Sequence, residues 1–103
     1  FADDYLMKAE AMFRMGTDVT GMINALRVIR GASVLGSVAE SDLLAERGRE
    51  MYAELTRRQD LIRFDQYLRA WNLKDATEAR SIIFPIPFAD VLANPNIVQN
   101  PGY

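Results

Sequence analysis

Apolar residues recur at helical spacing over the first thirty positions and predict two helices joined by a short turn. In residues 2–15 the apolar residues Tyr5, Leu6, Ala9, Met12 and Phe13 recur at helical spacing, and Gly16 is placed to end the helix in a left-handed conformation. Asp18 can cap the next segment, whose apolar stripe stops at Gly31. Helices joined by so short a turn are expected to run antiparallel, and the pair is similar to one tetratricopeptide-type hairpin.

A long third helix is predicted over residues 42–58, entered through a cap at Ser37 or Ser41. Its expected apolar stripe comprises Leu44, Gly48, Met51 and Leu55, with Leu43 and Tyr52 beside it. Glycine costs about 1 kcal/mol in a helix interior, so Gly48 indicates that another backbone or a bulky ring lies close. Residues 60–73 are expected to add a short fourth helix or helical turn.

The C-terminal quarter has a different pattern. Pro85 and Pro87 exclude a regular helix and predict an extended strap over residues 81–87. One helical turn is expected over residues 88–93, followed by turns in which the asparagines and Gln99 close the backbone. The chain is therefore predicted to be all-α over residues 1–103 as a single segment: a tetratricopeptide-like helical hairpin, a long third helix and an extended proline-containing strap folded back on them.

Composition excludes several classes of function. The 103 residues carry a formal charge of −2, and ten of the twelve cationic residues are arginines spread along the chain, so no basic face is set aside for nucleic acid. Cysteine and histidine are both absent, which removes thiolate and imidazole chemistry and the usual zinc ligands. No cofactor or metal site is expected. Because the helical pattern begins almost at Phe1, without an initiator methionine or a convincing cap, we expect the chain to be part of a longer protein.

Acidic pairs raise the question of glycoside hydrolysis. Glu50, Glu54, Asp60 and Asp65 could in principle supply the two carboxylates of that reaction. Each acid, however, has an arginine three or four positions away, which lowers a carboxyl pKa, whereas a general acid needs a raised one. We therefore expect that the chain is not an enzyme.

Short motifs occur along the chain in a fixed order that points to a family. They are Glu46-Arg47, Glu50, Arg57-Arg58, the run from Asp60 to Phe64, Phe84-Pro85-Ile86-Pro87, Asn94-Pro95-Asn96 and the closing Gln99 to Tyr103. This series resembles the C-terminal region of the SusD/RagB family. The chain departs from the family pattern at Ala53-Glu54-Leu55, and at Asp65, where glycine is common.

The resemblance implies a function that composition does not show. Such proteins are surface-exposed lipoproteins of the bacterial outer membrane, built of tetratricopeptide-like helices. They bind glycans or other nutrients and work with a SusC-like TonB-dependent transporter. This chain would be the C-terminal structural portion, with the membrane lipid anchor elsewhere in the protein. The alternative is a helical tetratricopeptide-type module that binds other proteins.

Two groups of residues are candidates for a role in such a protein. The first is a structural network of charged side chains: Glu46, Arg47, Glu50, Arg58, Asp60 and Arg63. Three- and four-residue spacing favours ion pairs within one helix, and the family pattern suggests that Arg47 or Arg58 pairs with Asp60 and binds carbonyls of the strap. The second is Tyr67 with Trp71, which could stack on a sugar ring or anchor the core.

Overall fold

The computed structural model describes all 103 residues, which form two compact units, Phe1–Phe64 and Asp65–Tyr103. The first unit contains four helices: α1, Ala2–Arg14; α2, Thr20–Ile29; α3, Glu40–Glu50; and α4, Arg57–Arg63. The second contains a 3₁₀ helix, Ala79–Ile82, and helix α5, Phe88–Ala93. The structure has no β-strand, and the predicted all-α class is confirmed. None of the helices combines the length and the apolar character that crossing a membrane requires.

Helix α3 is the centre of the first unit, because it packs against both α1 and α4. All four helices and their flanking turns contribute apolar side chains to the core. These are Leu6, Ala9, Val19, Ile23, Leu26, Leu43, Leu44, Met51, Leu61 and Phe64. Full burial of each large side chain is worth about 1.5 to 3 kcal/mol. The apolar stripes predicted for the first two helices contribute Leu6 and Ala9 of α1 and Ile23 and Leu26 of α2 to this core.

Local hydrogen bonds fix how α1 and α2 begin and end. Gly16 has a φ value of +82°, the left-handed conformation predicted there, and Gly31, where the second helix was predicted to stop, has a φ value of +70°. Val19, not the predicted Asp18, is the N-cap residue of α2, but Asp18 still accepts a hydrogen bond from the amide of Thr20, the first residue of the helix, at 2.9 Å. Asn24 then pairs with both backbone groups of Leu35, each at 2.8 Å, and so holds the loop that leads to α3.

The third helix is shorter than predicted. It ends at Glu50, and the chain then passes through two residues with left-handed backbone, Ala53 at φ +64° and Leu55 at φ +62°. Tyr52 and Leu55 are therefore exposed and do not continue the apolar stripe. If the helix continued straight to residue 58, Asp60 would lie far from α3. The turn at residues 51–56 reverses the chain and brings Asp60 back to Arg47 of α3. The predicted serine caps are also wrong, because Asp42 accepts the hydrogen bond of the Ala39 amide, 2.8 Å away.

Gly48 makes room for a side chain, not for the backbone or ring that its position predicted. A Cβ atom at Gly48 would lie 2.7 Å from Nη1 of Arg57. That guanidinium group donates to the Leu44 carbonyl at 2.8 Å, and so binds the backbone of α3 from the first turn of α4. The glycine therefore allows an arginine to join the two helices.

The second unit is held by polar side chains that bind backbone groups. The Gln99 amide pairs with both backbone groups of Ile86 at 2.8 Å, and Asn100 donates to the Phe84 carbonyl at 2.7 Å. The Tyr103 hydroxyl donates to the Ile83 carbonyl at 2.9 Å. The predicted strap begins later than expected, because Ser81 and Ile82 belong to the 3₁₀ helix; the backbone is extended at Ile83. No residue of this unit is buried, so hydrogen bonds and prolines, rather than a core, define its conformation.

The turn residues of this unit divide between two tasks. Asn94 accepts from the Asn96 amide at 3.0 Å, the Asx turn that the sequence predicted. Gln99 and Asn100 were expected to act in the same way, and Gln99 Oε1 does accept from the neighbouring Asn100 amide at 2.9 Å, but the side-chain amide nitrogens of both residues donate to the strap. The tail therefore closes on the strap through side chains.

We expect Leu55→Gly to raise the free energy of unfolding by about 0.5 to 1 kcal/mol. Left-handed backbone costs a residue with a Cβ atom about 1 to 2 kcal/mol, and substitution by glycine removes that cost. The greater conformational freedom of glycine in the unfolded chain offsets part of the gain. Urea unfolding measures the change. Ala25→Gly, at an exposed position inside α2, is the matched control and should destabilise by about 1 kcal/mol. Equal destabilisation by both substitutions would contradict the assignment of backbone strain to Leu55.

Candidate functional site

The first unit contains a buried ion pair between α3 and α4. Arg47 Nε donates to Asp60 Oδ1 at 2.8 Å, and both side chains are almost fully buried, with 4% and 1% of their surface exposed. Nη2 of the same arginine donates to Asp3 Oδ1, also at 2.8 Å. One guanidinium group therefore joins helices α1, α3 and α4.

A second set of contacts extends this pair towards the end of α1. Arg63 donates to Asp60 Oδ1 at 2.8 Å and binds both oxygens of Glu10, at 2.8 and 2.9 Å. Arg14 approaches the same Glu10 carboxylate at 3.0 Å. Burial on its own raises the pKa of Glu10, but the hydrogen bonds and charges of Arg63 and Arg14 outweigh it and hold that pKa below its ordinary value. The hydrogen bonding that Arg63 donates to the Glu10 carboxylate is the main cause of the raised pKa of Arg63.

A separate branch connects α2 to α3. Arg27 Nη1 donates to Glu46 Oε2 at 2.8 Å, and Arg49 contacts the same oxygen. Arg30 binds both oxygens of Glu50, at 2.8 and 2.9 Å. These hydrogen bonds lower the pKa of the Glu50 carboxyl and raise that of the Arg30 guanidinium. Two ion pairs thus link consecutive helices at neighbouring turns of α3.

Most of the predicted network residues lie in these contacts. Glu46, Arg47, Glu50, Asp60 and Arg63 do so, although the expected pairs within one helix are mostly pairs between helices. Arg58 lies in α4, where Arg47 and Arg63 bind the Asp60 carboxylate. Its predicted contact with the strap stays a prediction.

Sequence analysis missed the partners of these residues on the first two helices: Asp3, Glu10, Arg14, Arg27 and Arg30. One signal was present for Glu10, which follows Leu6 by four residues and so falls on the buried face of α1. An acid on an apolar stripe indicates a buried partner. The other four partners lie on partly exposed positions and carry no such signal.

The chemistry available to the network is that of a structural ion-pair cluster. The carboxyl groups of Glu10 and Glu50 are bound by guanidinium groups that lower their pKa, the opposite of what a general acid requires. An open groove of about 500 Å³ lies beside the cluster and is lined in part by Arg14 and Arg63. Both of these arginines already bind Glu10.

Trp71 lies in the second unit, in a loop closed by its own hydrogen bonds. Its backbone exchanges two hydrogen bonds with Lys74, at 3.0 and 2.9 Å. The Lys74 ammonium lies 4.5 Å from the Trp71 ring centre and 5.8 Å from that of Tyr67. The two predicted aromatic candidates thus face one cation, and 38% of the Trp71 surface remains exposed.

We expect acid to weaken the first unit in a way that depends on Glu10. The folded-state pKa of Glu10 lies below the ordinary value of 4.5, so the unfolded chain takes up protons first. The stability from the pair is therefore complete above about pH 4.5 and is lost as the pH falls through the folded pKa. Glu10→Gln should flatten the dependence of unfolding free energy on pH between roughly pH 6 and pH 3.

Urea unfolding at a series of pH values measures this dependence. Glu54→Gln, which changes an exposed glutamate of the turn after α3, is the matched control and should keep the wild-type profile. Parallel profiles for wild-type protein and Glu10→Gln would show that the carboxylate of Glu10 contributes no stability through its arginines.

Comparison with known proteins gives one consistent result. A sequence model of the SusD family matches residues 1–78. The chain is 40% identical to the starch-binding protein SusD of Bacteroides thetaiotaomicron over 99% of its own length, and 28% identical to the SusD-like protein P38 of Formosa agariphila over 100%. It spans only 20% and 24% of the lengths of these two relatives. The ordered motifs and the family match agree, and the chain belongs to the SusD family.

Proposed function

We propose that this chain is the C-terminal structural portion of a larger glycan-binding protein on the outer membrane. The observation that carries the proposal is the alignment of nearly the whole chain with a relative named for binding starch, of which it covers a fifth. The ligand class is a glycan or a similar nutrient.

The contacts of the first unit support a structural role for this portion. Arg47 and Asp60 are buried and bind each other, and Glu46 and Glu50 bind arginines of α2. The two atoms of this pair without a partner, Arg47 Nη1 and Asp60 Oδ2, are buried and therefore closed to sugar hydroxyl groups. Principal recognition of the ligand is therefore assigned to other parts of the full protein.

Partners and location follow from the family resemblance. We propose that the full protein delivers its ligand to a SusC-like TonB-dependent transporter. It would be held at the cell surface by a lipid anchor outside residues 1–103. No catalytic step is assigned to it, in keeping with relatives that are named for binding or as SusD-like.

The test is a binding assay on the complete polypeptide that carries this chain. Isothermal titration with maltoheptaose, cellohexaose, xylohexaose and mannohexaose should detect at least one ligand, and the recovered glycan should be intact. Co-expression with a SusC-like transporter should give a complex that survives purification.

Two results would contradict the proposal. Release of new reducing ends that is abolished by Glu50→Gln would indicate a glycosidase. A complex with another protein, without binding to any glycan, would favour the helical interaction module instead.

A further inference from the structure

The loop around Trp71 is held in one conformation by hydrogen bonds at two levels. The Thr77 amide donates to the Leu68 carbonyl at 2.9 Å and closes the base of the loop. Nearer the tip, Trp71 and Lys74 exchange their two backbone hydrogen bonds, which turn the chain sharply at Asn72 and Leu73. Compact loops closed in this way hold their side chains at a defined place on the surface.

Lys74 fixes the indole ring from one side. Its ammonium group donates to the carbonyl groups of Arg69 and Asp75, at 3.1 and 3.0 Å, and contacts Thr77 Oγ1 at 3.4 Å. The ammonium is therefore anchored to the backbone, and the Trp71 ring centre is 4.5 Å from it. A cation above the ring face is attracted by the π electrons, so this contact holds the ring orientation.

Part of the Trp71 surface is open to solvent. Trp71 is 38% exposed, and Leu73 at the tip is almost fully exposed with φ at +65°. No residue of the unit is buried, so within this unit Trp71 does not anchor a core. The side chains of Arg69 and Asn72 are also exposed beside it. The loop thus presents a fixed apolar plane flanked by hydrogen-bonding groups.

We propose that the open face of Trp71 is an accessory sugar-binding platform that stacks on a pyranose ring of a neutral glycan. The inference rests on the proposed glycan-binding function and adds a contact to it. The C–H face of a pyranose is flat and apolar and matches an indole in size, while its equatorial hydroxyl groups point outwards. Asn72 can donate to and accept from such hydroxyl groups, and Arg69 can donate to them.

A ring that is already fixed in orientation adds to the affinity for a glycan in two ways, through its contact with the sugar and through the small loss of side-chain freedom on binding. Because Lys74 and the paired backbone already restrict the ring, little side-chain freedom is lost when a sugar stacks on it. Lys74 is a positioning residue in this account, since its ammonium faces the ring side opposite the proposed ligand.

Affinity electrophoresis of the complete polypeptide, in gels containing amylose or hydroxyethyl cellulose, tests the proposal. Trp71→Ala should weaken retardation by about fivefold or more, and Trp71→Phe should retain most of it, because a smaller ring still stacks. Lys74→Met keeps the Trp71 ring but removes the cation that restricts its orientation, and should weaken retardation about twofold or more. Tyr52→Ala removes another exposed aromatic ring, in the first unit, and is the control that should leave retardation unchanged.

The outcomes separate this inference from the proposed function. If Trp71→Ala is retarded as strongly as the wild type, the Trp71 platform is wrong, while the proposed glycan-binding function is unaffected. Absence of retardation in the wild type, together with no binding in titration, overturns both. Loss of transporter binding by Trp71→Ala, with glycan binding unchanged, would assign the ring to a protein interface and overturn the platform. Thermal melting of each variant identifies any loss that comes from unfolding.

Discussion

The buried pair between Arg47 and Asp60 constrains the first unit more than any other contact. Each charge loses its hydration on burial and is compensated by the other, with Asp3 and Arg63 as their more exposed second partners. The pair requires α4 to return towards α3 after Glu50, and the left-handed backbone at Ala53 and Leu55 makes that return possible. A chain that must bring these two side chains together cannot form one straight helix from residue 42 to residue 58.

The ion-pair network also explains which features the sequence could predict. The apolar stripes of α1 and α2 and the glycines that end them follow from periodicity and backbone preference, and the structure agrees with both. The end of α3 does not follow, because Tyr52 and Leu55 continue the helical period of apolar residues but lie in a turn set by Asp60. Tertiary contacts override local pattern here. The partners of Glu46 and Glu50 were missed for the same reason, because sequence spacing shows pairs within a helix and not pairs between helices.

The second unit has a different physical basis. Prolines and side-chain hydrogen bonds from Gln99, Asn100 and Tyr103 fix an extended path without a buried core. The prolines made that path predictable. The Trp71 loop was not predictable, because residues 60–73 were expected to form a short helix or helical turn but α4 ends at Arg63. Sequence spacing also could not show that the Lys74 ammonium lies near both the Tyr67 and the Trp71 ring. A structural first unit and a constrained surface loop are compatible with one glycan-binding protein.

A double-mutant cycle on Arg47 and Asp60 tests the central claim most directly. Urea unfolding of Arg47→Met, Asp60→Asn and the double variant gives the coupling energy of the pair. We expect each single substitution to cost about 3 to 5 kcal/mol, because it leaves a buried charge with only its half-exposed second partner, Asp3 or Arg63. The double variant should cost less than the sum by about 1 kcal/mol or more. Additive losses, with each single variant costing under about 1 kcal/mol, would show that the pair does not hold the helices together.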